Sequence, residues 1–324
     1  MRHQTDIAIT AIAPLIWGST YYVTTEFLPA GYPITMAALR ALPAGLLLLL
    51  FARRLPQGVW WLRVIVLGAL NFTLFWTLLF VAAYRLPGGV AATVGAVQPL
   101  IVVFLAALIL GRAVQAMSIA AAALGVVGVG FLVLGSGHAL DALGLLAGLG
   151  GALSMAAGTV LTRKWQPSVS LLTFAAWQLT AGGMLLVPLA ILLEPPLPVL
   201  AFQNTVGIIY LGLIGAALTY VLWFKGISRL DPAAVSALGF LSPLSAVVIG
   251  WMALGQALTI WQMTGAGIVL TAVALAQRGG RAPSFKSSVL TSNERINACK
   301  SLYLAQQGMS APALSMRLSC AGIP

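Results

Sequence analysis

The sequence predicts an all-α membrane protein of ten transmembrane helices, arranged as two inverted five-helix repeats. Three observations predict this: the composition, the regular recurrence of apolar runs, and an internal duplication. Of the 324 residues, 60% are hydrophobic and only 7% are charged. A soluble domain carries about 25% charged residues. The chain therefore has too little polar surface to face water on all sides.

The apolar runs recur at a length that suits a bilayer. A hydrocarbon core about 30 Å thick needs about 20 helical residues to cross it. Short segments that contain charges, proline or glycine separate the runs. The predicted spans are approximately 7–27, 33–52, 61–83, 90–110, 116–135, 142–161, 170–193, 204–224, 232–254 and 260–277.

The distribution of basic residues predicts the orientation. With the N-terminus inside, the inner loops hold nine basic residues: Arg2, Arg53, Arg54, Arg63, Arg112, Arg163, Lys164, Lys225 and Arg229. The outer side holds Arg85. Cytoplasmic loops of membrane proteins are enriched in Lys and Arg. We therefore expect both termini in the cytoplasm, and we attribute the net charge of +11 to this bias and not to nucleic-acid binding.

Two stretches of the chain resemble each other at a fixed offset. LGALNFTLFWTLLFVAAYRL (67–86) matches LGLIGAALTYVLWFKGISRL (211–230), and the same offset of 144 places Pro99 on Pro243. The predicted repeats are residues 1–138 and 139–277, followed by a disordered cytoplasmic tail at 278–324. Because each repeat has an odd number of helices, the second copy enters the membrane upside down. Many secondary transporters use inverted repeats to expose a central site to alternate sides.

With WGS in the first span and Arg40 of LRALPAG in the second, the chain resembles the EamA family of the drug/metabolite transporter superfamily. IWGSTYYVTTEFLPAGYP, LRALPAGLLLLL and QPLIVVFLAALILGR are similar to its PecM type, named for the exporter of the blue pigment indigoidine. The resemblance covers about residues 1–277. It implies a multi-pass exporter of small organic metabolites in the bacterial inner membrane. It also implies a central cavity lined by helices 1, 3, 4, 6, 8 and 9.

Polar and aromatic residues near mid-depth are the candidates for lining that cavity. Within the run WGSTYYVTTE of the first span, one helical stripe holds Trp17, Thr20, Tyr21 and Thr24, and Ser19 and Tyr22 flank it. The third and eighth spans carry aromatic and polar residues at equivalent positions. Two such faces would suit a flat, conjugated solute by stacking. The candidates are Trp17, Ser19, Thr20, Tyr21, Tyr22, Asn71, Phe75, Trp76, Gln98, Pro99, Thr219, Tyr220, Phe240 and Pro243.

Each of these candidates has a structural alternative. Ser and Thr often bond to their own helix or to a neighbouring helix. The aromatic residues near helix ends, Trp223 and Tyr84, can form an interfacial belt. Pro99 and Pro243, about ten residues into their spans, are expected to kink them. Each kink would free a backbone carbonyl.

Two charges are candidates for coupling or for structure. Arg40 lies well inside the second span, and intramembrane ionisable residues are often functional. Its alternative roles are snorkelling toward the outer face and a structural pair with Glu26 at the outer end of the first span. Since no Asp or Glu lies at mid-depth, Glu26 is the nearest carboxylate for proton coupling, and a facilitator is equally open.

The remaining predictions concern partners and other classes of protein. The expected partners are a small-molecule substrate and the lipid bilayer. The glycine-bearing fifth and tenth spans are expected to scaffold the bundle or to form a homodimer contact. No cofactor, metal site or catalytic residue is predicted, because His3 and His138 lie outside the spans and both cysteines lie in the tail. The alternatives are an exporter of amino acids or their derivatives, a membrane signalling protein and an intramembrane enzyme.

Overall fold

The computed structural model describes residues 2–85, 94–132, 141–254 and 259–279. Within these ranges, all regular secondary structure is helical. Helical segments that fall within one predicted span are numbered as one helix. The helices are α1 (Arg2–Phe27), α2 (Pro33–Ala52), α3 (Trp60–Gly68, Ala69–Leu74 and Phe75–Arg85), α4 (Gln98–Leu110), α5 (Ala116–Leu132), α6 (Ala142–Lys164), α7 (Leu171–Leu193), α8 (Phe202–Gly212, Leu213–Leu218 and Thr219–Arg229), α9 (Pro232–Leu238 and Leu241–Leu254) and α10 (Ile260–Gly279).

Eight of these helices are long and apolar enough to cross a membrane, and the two others, α4 and α5, are shorter apolar helices within the described ranges. Large apolar side chains cover their outer surfaces; Leu108, Ile191 and Leu192, for example, are 82%, 75% and 78% exposed. Such a surface suits lipid and not water. The all-α membrane class is therefore confirmed, while the count of ten spans stays a prediction.

The helices pack in a pattern that repeats when each helix is exchanged with the one five places along. Helix α2 packs on α7, and α5 packs on α10. Helix α1 packs on α8 and α9, and correspondingly α6 packs on α3 and α4. The exchange thus leaves the α2–α7 and α5–α10 pairs unchanged, and it converts the two contacts of α1 into the two contacts of α6.

Helices α3 and α8 each contain a π-helical turn at equivalent positions. The turns are Ala69–Leu74 and Leu213–Leu218, which differ by the same offset of 144 as the sequence match. A π turn inserts a residue into the helix and is frequent at functional sites. It also alters the pairing of the neighbouring backbone carbonyls, which become available to other donors.

The prolines predicted to kink two spans in fact follow interruptions of the helices. Pro99 lies in the first turn of α4, directly after a turn at residues 96–97. Pro243 lies in the first turn of the second segment of α9, after a turn at residues 239–240. Proline is well tolerated in a first helical turn, because its missing N–H would have no partner there. The predicted kinks are therefore breaks between segments.

A carboxylate fixes the start of α2 against the end of α7. The two oxygens of Glu194 accept hydrogen bonds from the backbone N–H groups of Ile34, at 2.6 Å, and Thr35, at 2.7 Å. A negative charge at a helix N-terminus also interacts favourably with the helix dipole. The contact aligns the two helices of the α2–α7 pair at one end.

The glycines of α5 contact other helices of the same chain. A Cβ atom at Gly128 would lie 2.9 Å from the side chain of Ile268 in α10, and Gly125 is covered by the ring of Phe240. These contacts fit a scaffolding role. A homodimer formed through α5 and α10 stays a prediction.

Candidate functional site

Aromatic side chains from α1, α3 and α8 meet in the interior of the bundle. The ring of Trp17 lies 5.2 Å from that of Tyr220, and the ring of Trp76 lies 6.4 Å from it, between centroids. Trp76 and Tyr220 are buried and Trp17 is half-buried. The structure therefore brings together three candidates that are separated by up to about 200 residues in the sequence.

Two further rings complete this aromatic cluster, and neither was among the candidates. Phe72 lies 4.5 Å from Tyr220 and 5.3 Å from Trp76, and it is fully buried. Trp223 lies 5.1 Å from Trp17 and is 1% exposed, so it is not an interfacial belt residue. Helix α8 continues to Arg229, which leaves Trp223 well inside the helix. Its spacing of three residues from Tyr220 is the signal that could have identified it.

Arg40 of α2 reaches into this cluster. Its guanidinium lies 4.9 Å from the centroid of the Trp76 ring and donates a hydrogen bond of 2.6 Å to the carbonyl oxygen of Gly215. Gly215 belongs to the π turn of α8, so a charged donor meets a carbonyl that this turn makes available. A cation over a tryptophan face is attracted by the ring quadrupole. The alternative partner, Glu26, is an exposed residue at the end of α1.

Hydroxyl groups link the cluster to the helix backbones. The indole N–H of Trp17 donates to Thr219 Oγ1 at 2.9 Å, and Thr219 in turn donates to the Gly215 carbonyl at 2.8 Å. Ser19 donates to the carbonyl of Ile16 in its own helix and pairs with the hydroxyl of Tyr210 at 2.7 Å. Ser19 and Thr219 thus both donate a hydrogen bond to a backbone carbonyl of their own helix, which is the structural alternative to lining a cavity.

Asn71 makes its hydrogen bonds with α6 and α7. Its amide donates to Gln178 Oε1 at 2.8 Å and to Thr162 Oγ1 at 3.2 Å, and all three side chains are buried. This triad joins the π turn of α3 to α7, much as Arg40 of α2 joins the π turn of α8. Gln178 was not among the candidates, although a lone Gln in an apolar span is a visible signal.

The other candidates are dispersed. Phe75 packs against the core that contains the aromatic cluster, and the buried hydroxyl of Thr20 has no hydrogen-bond partner within the described ranges. Phe240 belongs to a separate core with Val129 and Val269. The ring of Tyr22 lies 6.1 Å from that of Phe27, between centroids, near the end of α1. Gln98, Pro99 and Pro243 lie next to the helix breaks. The side chain of Tyr21 lies outside the described part of the structure.

Two ion pairs occupy equivalent positions at helix ends. Arg229, at the end of α8, pairs with Asp6 of α1 at 3.0 Å, and Arg85, at the end of α3, pairs with Asp141 before α6 at 3.3 Å. Asp141 also accepts a hydrogen bond from the backbone N–H of Gly144. This bond, together with the charge of Arg85, holds the pKa of Asp141 below its usual value. The ion pairs join the two helix pairs α1–α8 and α3–α6.

The sequence profile of the EamA-like transporter family matches the chain twice, at residues 5–134 and 142–277. The chain is 43% identical to Protein PecM of Dickeya dadantii, over 82% of this chain and 90% of that protein. It is 26% identical to a probable terminal-alkyne amino-acid exporter of Streptantibioticus cattleyicolor, over 70% and 74% of the two chains. A solved crystal structure of a protein 21% identical in sequence has the same fold, with a TM-score of 0.74 over 86% of this chain and 99% of the other.

Proposed function

The chain belongs to the EamA-like transporter family, and on that premise we propose that it is a secondary transporter that exports small organic metabolites across the bacterial inner membrane. The observation that carries the proposal is the aromatic cluster with Arg40 at its edge. Four helices, α1, α2, α3 and α8, contribute side chains to it. The family is one of transporters, and several relatives of the chain are named as transporters, which speaks against an intramembrane enzyme or a signalling protein.

In the described conformation the rings occupy the space between α1, α3 and α8. Phe72, Trp76, Tyr220 and Trp223 are each at most 4% exposed. A solute can therefore enter only when these helices separate. We interpret the conformation as closed around the site, with the rings packed on one another in place of a solute.

Alternating access by two inverted repeats would supply that separation. Three observations support the repeats: the family profile matches twice, the contacts of α1, α2, α5, α6, α7 and α10 described above recur on exchange of the halves, and the π turns are 144 residues apart. We propose repeats of residues 1–138 and 139–277, followed by the tail at 278–324; the boundary and residues 280–324 lie outside the described ranges. The helices would bend at the π turns and at the two turns that precede Pro99 and Pro243.

The same arrangement requires equivalent loops to lie on opposite sides of the membrane. A membrane-impermeant maleimide tests this on a chain in which Cys299 and Cys320 are replaced by Ser. With both termini cytoplasmic, Pro195→Cys should react in intact cells stripped of their outer membrane, and Gln57→Cys only after permeabilisation. Reaction of both positions from the same side would contradict the inverted topology.

The solute that this cluster suits best is planar and conjugated, such as an aromatic pigment or a related compound. Stacked rings bind flat π systems, and Arg40 adds a cation at the edge of the cluster. The alternative solute is an amino acid or a derivative, supported by the name of the Streptantibioticus relative. Glu26 and Arg40 remain the candidates for a coupling charge; of the two, Arg40 is the one in contact with the cluster.

Metabolite profiling tests the export proposal and separates the two solute classes. A deletion strain should release less of at least one small metabolite than its parent strain and should retain it inside the cell. Purified protein in proteoliposomes should then transport that compound down its gradient faster than protein-free vesicles do. An amino acid in this role would favour the alternative. If no metabolite is lost from the medium, the proposal of an exporter fails.

A further inference from the structure

A cavity of about 710 Å³ opens at the end of the bundle where α2 ends and α3 begins, away from the aromatic cluster. The α2–α3 connection and the α6–α7 connection form its sides, and the start of α3 and the side of α7 complete it. Basic, polar and aromatic side chains line it, among them Arg53, Arg54, Gln57, Trp60, Ser168 and Trp177. The cavity is therefore a basic pocket that is large enough for a phosphate-bearing headgroup.

The backbone around the two arginines is fixed. Arg53 ends α2 in the left-handed conformation, with φ of 48°, and its N–H donates to the Leu49 carbonyl. Left-handed backbone is uncommon for a residue other than glycine, and it occurs often at functional sites. The carbonyl of Arg54 accepts a hydrogen bond of 2.7 Å from the indole of Trp177. The strained turn and this bond hold two adjacent arginines at the pocket.

The surroundings of the pocket indicate that it lies at headgroup depth. Arg63 lies 5.0 Å from the centroid of the Trp60 ring and 5.6 Å from that of Trp165, and tryptophan with arginine is typical of the membrane interface. Directly beside the pocket, Phe51 is 70% exposed and Leu62 is 64% exposed. A ligand with an anionic head and apolar chains would contact both surfaces.

We propose that this pocket binds an anionic phospholipid, whose phosphodiester interacts with Arg53 and Arg54 and whose acyl chains lie along Phe51 and Leu62. Basic pockets between transmembrane helices bind anionic lipid headgroups. A free phosphate ester would share the headgroup chemistry but would leave the apolar flank unused. The proposal requires only that this end of the bundle lies at a membrane surface, so it does not depend on the exported solute.

The test measures lipid binding to the full-length, delipidated protein in phosphatidylcholine nanodiscs to which fluorescent phosphatidylglycerol is added. The variant Arg53→Asn with Arg54→Gln removes both charges, and asparagine tolerates the left-handed backbone at 53. Each basic residue near an anionic surface contributes about fivefold in affinity, so the double variant should bind about 30-fold more weakly. Arg54→Gln alone should bind about fivefold more weakly.

Arg112→Gln is the matched control, because Arg112 is an exposed arginine of a short connection and does not line the pocket. It should bind within about twofold of the parent. An equal loss in Arg112→Gln would show that only diffuse surface charge attracts the lipid, and unchanged binding in the double variant would show that the two arginines do not hold the headgroup. Either result would overturn the proposal. Soluble glycerol phosphate supplies the second arm: if it displaces the lipid at comparable concentration, the ligand is a free phosphate ester, and the assignment to a lipid is wrong.

Discussion

Replacing Trp76 with alanine should reduce solute export per folded molecule by about five- to hundredfold, because Trp76 joins Arg40, Phe72 and Tyr220 in one cluster. The ring supplies a stacking surface and the face on which the guanidinium rests, and such contacts contribute about 0.5–1.5 kcal/mol each. Both are lost together in the alanine variant. The measurement is the initial rate of efflux from proteoliposomes, divided by the amount of folded protein.

The alanine variant also creates a cavity, and Trp-to-Ala changes in protein cores cost about 3–5 kcal/mol of stability. Trp76→Phe separates the two effects, since it retains a ring at the site. We expect it to fold close to normally and to transport at an intermediate rate. Trp61→Ala is the control, because Trp61 is 51% exposed on the outer surface of the same helix. If Trp76→Ala transports as fast as the parent, the cluster is not the solute site.

Gly45→Ala should destabilise the protein by about 2–4 kcal/mol, because α2 and α7 touch at this residue. A Cβ atom at Gly45 would lie 2.7 Å from Thr180 Oγ1 and closer still to the Thr180 backbone nitrogen. The backbone cannot yield as a flexible side chain does. A Cβ atom at Gly183 of α7 would likewise lie 2.7 Å from Leu42 of α2. Because the two helices are in close contact at both glycines, they cannot slide past each other to relieve the clash. Thermal unfolding in detergent measures the loss.

The control for this substitution is Gly267→Ala in α10. Nothing lies within 4 Å of a Cβ atom at Gly267, and its backbone is helical. Alanine is the better helix former, so this variant should be as stable as the parent or more so. If both variants unfold at the same temperature, close packing at Gly45 does not hold the α2–α7 pair together.

Most helix positions could be predicted from the sequence. The predicted spans 33–52, 142–161 and 170–193 lie within one to three residues of α2, α6 and α7 at each end. This agreement arises because apolar run length and the breaks at proline, glycine and charge are local properties of the chain. Trp17, Trp76 and Tyr220 were predicted to line one cavity, but the meeting of their three helices was implied by the family resemblance and not by the stripe or the 144-residue offset.

The π turns limited the prediction of which side chains meet. Asn71 was grouped with Phe75 and Trp76 as a polar residue of the same span, yet Asn71 bonds to Gln178 and Thr162. The wider π turn at Ala69–Leu74 shifts the faces of α3 at that point. Phe240 was predicted to line the cavity, but it lies at the break at residues 239–240 and its ring covers Gly125 of α5.

The sequence by itself determined that lipid surrounds this protein, where most of its helices lie and which aromatic and polar residues they carry, because each of these follows from composition or from local sequence pattern. The two repeats stay a prediction. Only the tertiary structure decided that Arg40 rests on Trp76 and meets the Gly215 carbonyl, and that Trp223 is interior. These contacts depend on how helices rotate and approach one another. That is set by the glycine contacts and π turns of several helices together, which no single stretch of sequence encodes.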